Sequence, residues 1–331
     1  MTTQRRRALT VAAALGGLVL FAYAVRQAGV DQIVDGIRKV GWGLLPIVAL
    51  AGVRFLLRSC AWRLCMPRDK RLPLGQTFIA FLAGDAIGNV TPLGMVASEP
   101  TKVLLIRHRL ATRESIASLA IDNLFYAGSV VAVVILGVVV MLATVPLSLE
   151  WREGALVSLI AAAVGIVVML RLLRGTWTEE GRPRPAWRES LAGLRRAVLA
   201  FSSEGLGRPL QVFLLDLSFH AVAIFEVFLT LRWLLGDRSP TLAQAIVFEA
   251  LNRVITVVFK FVPFRVGIDE ALSGALAPVM AVQPVAGVTL AVVRKVRNLL
   301  WTGVGLLLIA GRPAHVEPGT GHPETGPAHR T

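Results

Sequence analysis

Apolar residues run in long blocks along most of this chain, near 8–25, 42–62, 118–145, 154–173, 209–235 and 284–310. An α-helix needs about 20 of them to cross a hydrocarbon core, so the pattern predicts six full transmembrane helices. Two further apolar stretches, about 76–106 and 242–280, are interrupted by Pro, Gly and charged residues, and neither reads as a clean span. Between 174 and 208 the pattern changes to Arg182-Pro-Arg184-Pro and an amphipathic run around Trp187–Phe201, predicting a cytoplasmic linker with an interfacial helix. After 310 the Pro-, Gly- and Thr-rich residues predict a disordered tail.

The basic residues orient these spans, because Lys and Arg are retained on the cytoplasmic side of short loops. With the N-terminus inside, the inside segments 1–7, 63–75, 101–113, 171–208 and the tail hold 21 of the 35 Lys and Arg, against 6 in the outside loops. That bias holds only if each broken stretch enters and leaves on one side, the first from the cytoplasm and the second from outside. Both are therefore expected to be re-entrant hairpins. Irregular backbone at membrane depth is tolerated only where protein or a water-filled cavity satisfies it, so paired hairpins imply an internal polar site. Arg5-Arg6-Arg7, an apolar run and Ala22-Tyr23-Ala24 imitate a secretory signal; a retained first helix is expected.

Composition agrees with a membrane protein: 55% of residues are hydrophobic. A net charge of +14 follows from that topology. No basic fold motif accompanies it, so nucleic acid is not an expected partner. Cys60 and Cys65 fit neither a disulfide framework nor a metal site. His315, His322 and His329 lie in the tail and read as solvated. No nucleotide loop, zinc motif or nucleophile motif is present, so neither a cofactor nor a metal is expected.

The chain also repeats itself. Trp62 matches Trp233, Pro92 matches Pro263, Glu99 matches Glu270, and Ser118-Leu-Ala-Ile121 resembles Thr289-Leu-Ala-Val292, all displaced by 171 residues. Each unit, about 42–145 and about 209–310, reads as a helix, a broken hairpin and another helix. Since one hairpin enters from each side, the expected fold is an all-α polytopic membrane domain over 1–310 built as an inverted repeat. Transporters use that architecture to place substrate near the midplane between the halves.

The broken segments carry the candidate site. The first holds Asp85, Asn89, Thr91, Pro92, Gly94, Glu99 and Lys102; the second holds Arg253, Lys260, Pro263, Arg265, Gly267, Asp269 and Glu270. Pro removes a backbone donor and Gly allows unusual dihedrals, so the chain can turn inside the bilayer. A half-helix starting near Ser98 would aim its amides at an anionic headgroup. Glu249 and Arg253 are spaced to pair. Arg294, Lys295 and Arg297 interrupt the last span, and a charge at the bilayer centre costs at least about 2.5–3.5 kcal/mol, so each should face a partner or water. Several cations around one cavity suit a phosphate-bearing lipid. Arg54 and Arg58 either snorkel or join that cavity, and Asp122 and Asn123 are either interfacial or buried. Asp216 and His220 are expected to form a structural polar pair, and Glu226 is a relay candidate.

At Asn89, Thr91-Pro92, Gly94, Ser98-Glu99-Pro100 and Lys102, then Pro263, Gly267 and Glu270, the sequence resembles the lysylphosphatidylglycerol synthase transmembrane-domain family, also described as flippase-like membrane proteins. The likeness covers roughly 42–310. Ser98 replaces the glycine usual before Glu99, and Leu93 intervenes between Pro92 and Gly94. The resemblance implies lipid translocation. Aminoacyl-transferring members carry a further soluble domain, and with only a short tail here that activity is not implied. The expected function is thus a non-enzymatic flippase for an anionic amphipathic lipid, in the cytoplasmic membrane with both termini inside. An intramembrane transferase using Glu99, Glu270 and Asp85, and a scaffold for a lipid-modifying synthase, are the alternatives.

Overall fold

The computed structural model describes residues 30–91, 94–146, 148–174, 186–203, 205–236, 239–259, 263–265 and 267–311. Among these the regular elements are helical. They are α1 (Val30–Val40), α2 (Leu44–Cys65), α3 (Leu74–Val90), α4 (Gly94–Ile106), α5 (Thr112–Thr144), α6 (Leu149–Arg174), α7 (Ala186–Ser203), α8 (Gly207–Leu235), α9 (Leu242–Val258), α10 (Ile268–Val279) and α11 (Pro284–Ala310). Three stretches, Arg38–Cys65, Thr112–Thr144 and Gly207–Leu235, are long and apolar enough to cross a membrane. α11 has the length but carries Arg294, Lys295 and Arg297 midway. The expected first span, Pro92, Lys260, residues 175–185 and 204 of the linker and the tail histidines lie outside the described residues.

Each broken stretch becomes two helices. The first is α3 of 17 residues and α4 of 13; the second is α9 of 17 and α10 of 12. At about 1.5 Å per residue none of the four reaches the roughly 30 Å of a hydrocarbon core. α4 begins at Gly94, one turn before the expected start near Ser98. The 171-residue displacement is visible in the element order: shifted by it, α3 would cover 245–261 and α9 covers 242–258, while α4 would cover 265–277 and α10 covers 268–279.

The packing repeats as well. α2 lies along α8, α3 packs on α11, and α9 packs on α5, so the first hairpin helix of each unit leans on the last helix of the other. Small residues make this possible. A Cβ on Gly137 of α5 would sit 2.1 Å from Ala250 Cβ on α9, and one on Gly305 of α11 would sit 2.6 Å from Ala86 Cβ on α3. In membranes such small-residue seams let backbones approach where no hydrophobic force drives helices together. One core joins α5, α8, α9, α10 and α11 around Phe248, Leu231, Leu276 and Leu290, and another joins α2 to α5 around Trp62, Met66, Phe81 and Leu119. α7 lays Val198 and Phe201 against Cys65, Ile121 and Val212.

Candidate functional site

The two breaks in the chain meet. Val90, at the end of α3, packs with Phe264 of the short 3₁₀ turn Pro263–Arg265 and with Leu299 of α11. Beside them Asn89 donates to Asp85 Oδ2 at 3.1 Å and to Thr302 Oγ1 of α11 at 3.3 Å. Lys102, Arg54 and Arg265 are all near enough to act on the Asp85 charge. Val90 from the first hairpin and Phe264 from the second are thus brought together across the sequence.

Of the residues singled out in the sequence, Arg54, Arg253, Arg294 and Arg297 come together in the densest cluster, between α2, α8, α9 and α11. Arg54 of α2 donates to Glu226 Oε2 of α8 at 3.1 Å, and Arg297 of α11 pairs with Oε1 of the same carboxylate. One turn along, Arg253 of α9 pairs with Glu249, its Nε 2.6 Å from Oε1, and Arg294 of α11 donates to Oε2 at 3.2 Å. Arg253 also donates to Tyr126 Oη of α5 at 3.1 Å. Phe219 joins the two clusters, with the Arg54 and Arg253 guanidinium carbons 4.5 and 5.3 Å from its ring centre. Four guanidinium groups therefore share two carboxylates. Glu226 and Glu249 are 2% and 1% exposed, so the surplus positive charge is enclosed by protein, where an uncompensated charge is strongly unfavourable.

The remaining predicted residues divide. Glu270 is a structural cap: its Oε2 accepts the Gly267 N–H at 2.9 Å at the start of α10, and its Oε1 is paired with Lys295 of α11. Gly267 at φ +81° supplies the left-handed backbone that this start needs. Arg265 donates to Asp269 at 3.1 Å. Thr91 Oγ1 donates to its own helix at Ile87 O. Lys102 is buried against the Phe81 ring and donates to Glu99 Oε1 at 2.9 Å. Glu99 Oε2 is buried with no hydrogen-bond partner among the described residues and borders a groove of about 530 Å³ between α4 and α5, where Arg107, Thr112 and Asn123 are the other polar neighbours. No hydrogen bond or ion pair joins Glu99 to Glu270 among the described residues.

A second buried cluster corrects the bland alternatives. Arg58 does not snorkel: it is 5% exposed and donates to Asp122 Oδ2 of α5 at 2.6 Å and Asp216 Oδ1 of α8 at 2.5 Å. Asp122 is buried accordingly. Asp216 and His220 do not pair; His220 Nε2 lies 3.1 Å from Ser129 Oγ, and its ring stacks on Tyr126. A charge-assisted bond to arginine outcompetes the local neighbour.

These observations define a polytopic helical membrane protein with charged groups locked inside it. The chain belongs to the family of the lysylphosphatidylglycerol synthase TM region, whose family model matches residues 8–305. No curated protein matches significantly. No solved structure does either.

Proposed function

We propose that this membrane domain carries an anionic, phosphate-bearing amphipathic lipid from one leaflet to the other. The headgroup passes the arginine centre between α2, α8, α9 and α11 while the acyl chains stay in the bilayer. The observation behind this is the ratio of four guanidinium groups to two carboxylates at Glu226 and Glu249. Arginine is suited to phosphate oxygens through its planar, permanently charged fork. Membership of a lipid-related membrane family agrees with it. In this proposal the hairpins are re-entrant, the repeat is inverted, and the protein lies in the cytoplasmic membrane with both termini inside. It acts as a transporter without covalent chemistry.

The test is reconstitution into vesicles containing a fluorescent anionic lipid and, separately, a zwitterionic one. The wild type is expected to move the anionic lipid faster. Arg265→Ala is expected to narrow that preference several-fold, because a cation next to the Val90–Phe264 junction is lost. Equal rates for both lipids in the wild type would refute headgroup selection, and covalent change of the lipid would establish the transferase alternative.

A further inference from the structure

The Arg58 cluster has the opposite imbalance from the arginine centre. One guanidinium faces two carboxylates, and among the described residues both Asp122 Oδ1 and Asp216 Oδ2 are buried without a hydrogen-bond partner. Asp122 and Asp216 are 1% and 0% exposed. Two carboxylates sharing one cation in a low-dielectric interior cannot both remain ionised cheaply, since each disfavours the charge of the other. Intramembrane carboxylates of this kind mark proton pathways.

The surrounding groups sharpen the assignment. On α5, the Tyr126 ring centre is 4.2 Å from the Arg58 guanidinium carbon. Lys102 and Glu99 act on Asp122 from α4, but they are paired one to one. Cys65 and Arg208 lie on the α2 and α8 sides, Arg208 donating to the carbonyls of Leu64 and Met66. His220 is turned to Ser129. Among the described residues, then, no second cation bonds to either aspartate. Asp85 is different: it accepts from Asn89 and has three cations acting on it.

The two imbalances are complementary. The arginine centre holds two positive charges more than its own carboxylates and the triad one negative charge more than its cation, while Lys102–Glu99, Lys295–Glu270 and Arg265–Asp269 are even. A phosphate arriving at the centre adds its own negative charge to the interior. We infer that, as an anionic headgroup occupies the arginine centre, the Asp122–Asp216 pair takes up one proton from water, so that headgroup and proton travel together. An O–H bond forms at one unpartnered carboxylate oxygen, Arg58 retains one ionised partner, and the lipid is unchanged. The inference rests on the headgroup proposal above.

Calorimetry on the full chain in detergent tests it, using a short-chain phosphatidylglycerol as a singly charged probe in buffers of different ionisation enthalpy. Binding is expected to take up about one proton, so affinity should rise up to tenfold for each pH unit of acidification. Asp122→Asn and Asp216→Asn keep the shape of the side chain and an acceptor for Arg58. At least one of them should bind the probe with no buffer-dependent heat and a flat pH profile. Glu114→Gln, at an exposed pair with Lys70, should behave as wild type. Binding without proton uptake in the wild type would overturn this inference and leave the headgroup proposal standing, whereas absence of binding would overturn both. Loss of uptake in Asp85→Asn alone would overturn the assignment to the triad. Infrared spectra offer a check independent of binding: a protonated carboxyl band appearing on acidification should be absent from the responsible Asn variant, and a band unaffected by both Asn variants would count against the triad.

Discussion

The two hairpins start from the same plan and are held differently. In the first, α4 folds back tightly on α3: a Cβ on Gly94 would sit 2.5 Å from the Gly88 carbonyl oxygen, and one on Gly84 would meet Lys102 Cγ at 2.5 Å. α4 leaves the groove of about 530 Å³ on its other side, toward α5. In the second, α10 packs mainly on α11 and less on α9, and a Cβ on Gly287 would lie 2.3 Å from Ser273 O. The turn that permits this holds Phe264 and Arg265 in left-handed conformations, at φ 49° and 48°, a strained state for residues with side chains. Repeated units in unlike conformations are what alternating access by inverted repeats requires. In the transport cycle we propose, α4 and α10 are the parts whose seating alternates.

Fixing that difference should have the largest effect. A cysteine pair at Gly88 and Ser98, where an added Cβ lies 3.0 Å from the Ser98 Cβ, should oxidise across α3 and α4 in a chain lacking Cys60 and Cys65. If α4 must move away from α3, lipid exchange in vesicles should stop on oxidation and return on reduction; undiminished exchange by the oxidised protein would remove α4 from the cycle. Next in size, Glu249→Gln leaves Arg253 and Arg294 without their shared carboxylate. Breaking a buried pair in this way costs about 3–5 kcal/mol, which thermal denaturation in detergent would register as a large drop in midpoint. Gly94→Ala is smaller. The added methyl meets backbone, and overpacking of this kind costs about 1–3 kcal/mol; the equivalent change at the open position Gly303 of α11, where a Cβ meets nothing within 4 Å, should leave the midpoint unchanged.

Legibility in the sequence follows the same division. The breaks were readable because Pro92, Gly94, Pro263 and Gly267 interrupt helical periodicity locally, and the pairing of Arg253 with Glu249 was readable from a four-residue spacing. Arg294 and Arg297 stood out as charges within an apolar span, but which carboxylate each arginine of the centre meets was not readable, because those bonds join distant helices. Arg54 and Glu226 are 172 apart, so local spacing rules say nothing about them. Their positions are nonetheless almost one repeat displacement apart, which puts a cation and a carboxylate at nearly equivalent places on α2 and α8. Glu99 and Glu270 show the converse: they match in the repeat, yet one borders a groove and the other caps a helix.

The ion pairs also impose a schedule on synthesis. Glu99 with Lys102, Glu249 with Arg253 and Arg265 with Asp269 lie within four residues of each other, so each of these pairs can form as soon as its helix does. Arg58 waits for Asp122, 64 residues later, and Arg54 waits for Glu226, 172 residues later. At roughly 5–20 residues per second, the ribosome leaves Arg54 without its carboxylate for on the order of ten seconds or more. During that interval the nascent α2 has to be chaperoned at the aqueous edge or inside the insertion machinery, and a chain stalled before α8 emerges would present an unshielded arginine to quality-control proteases.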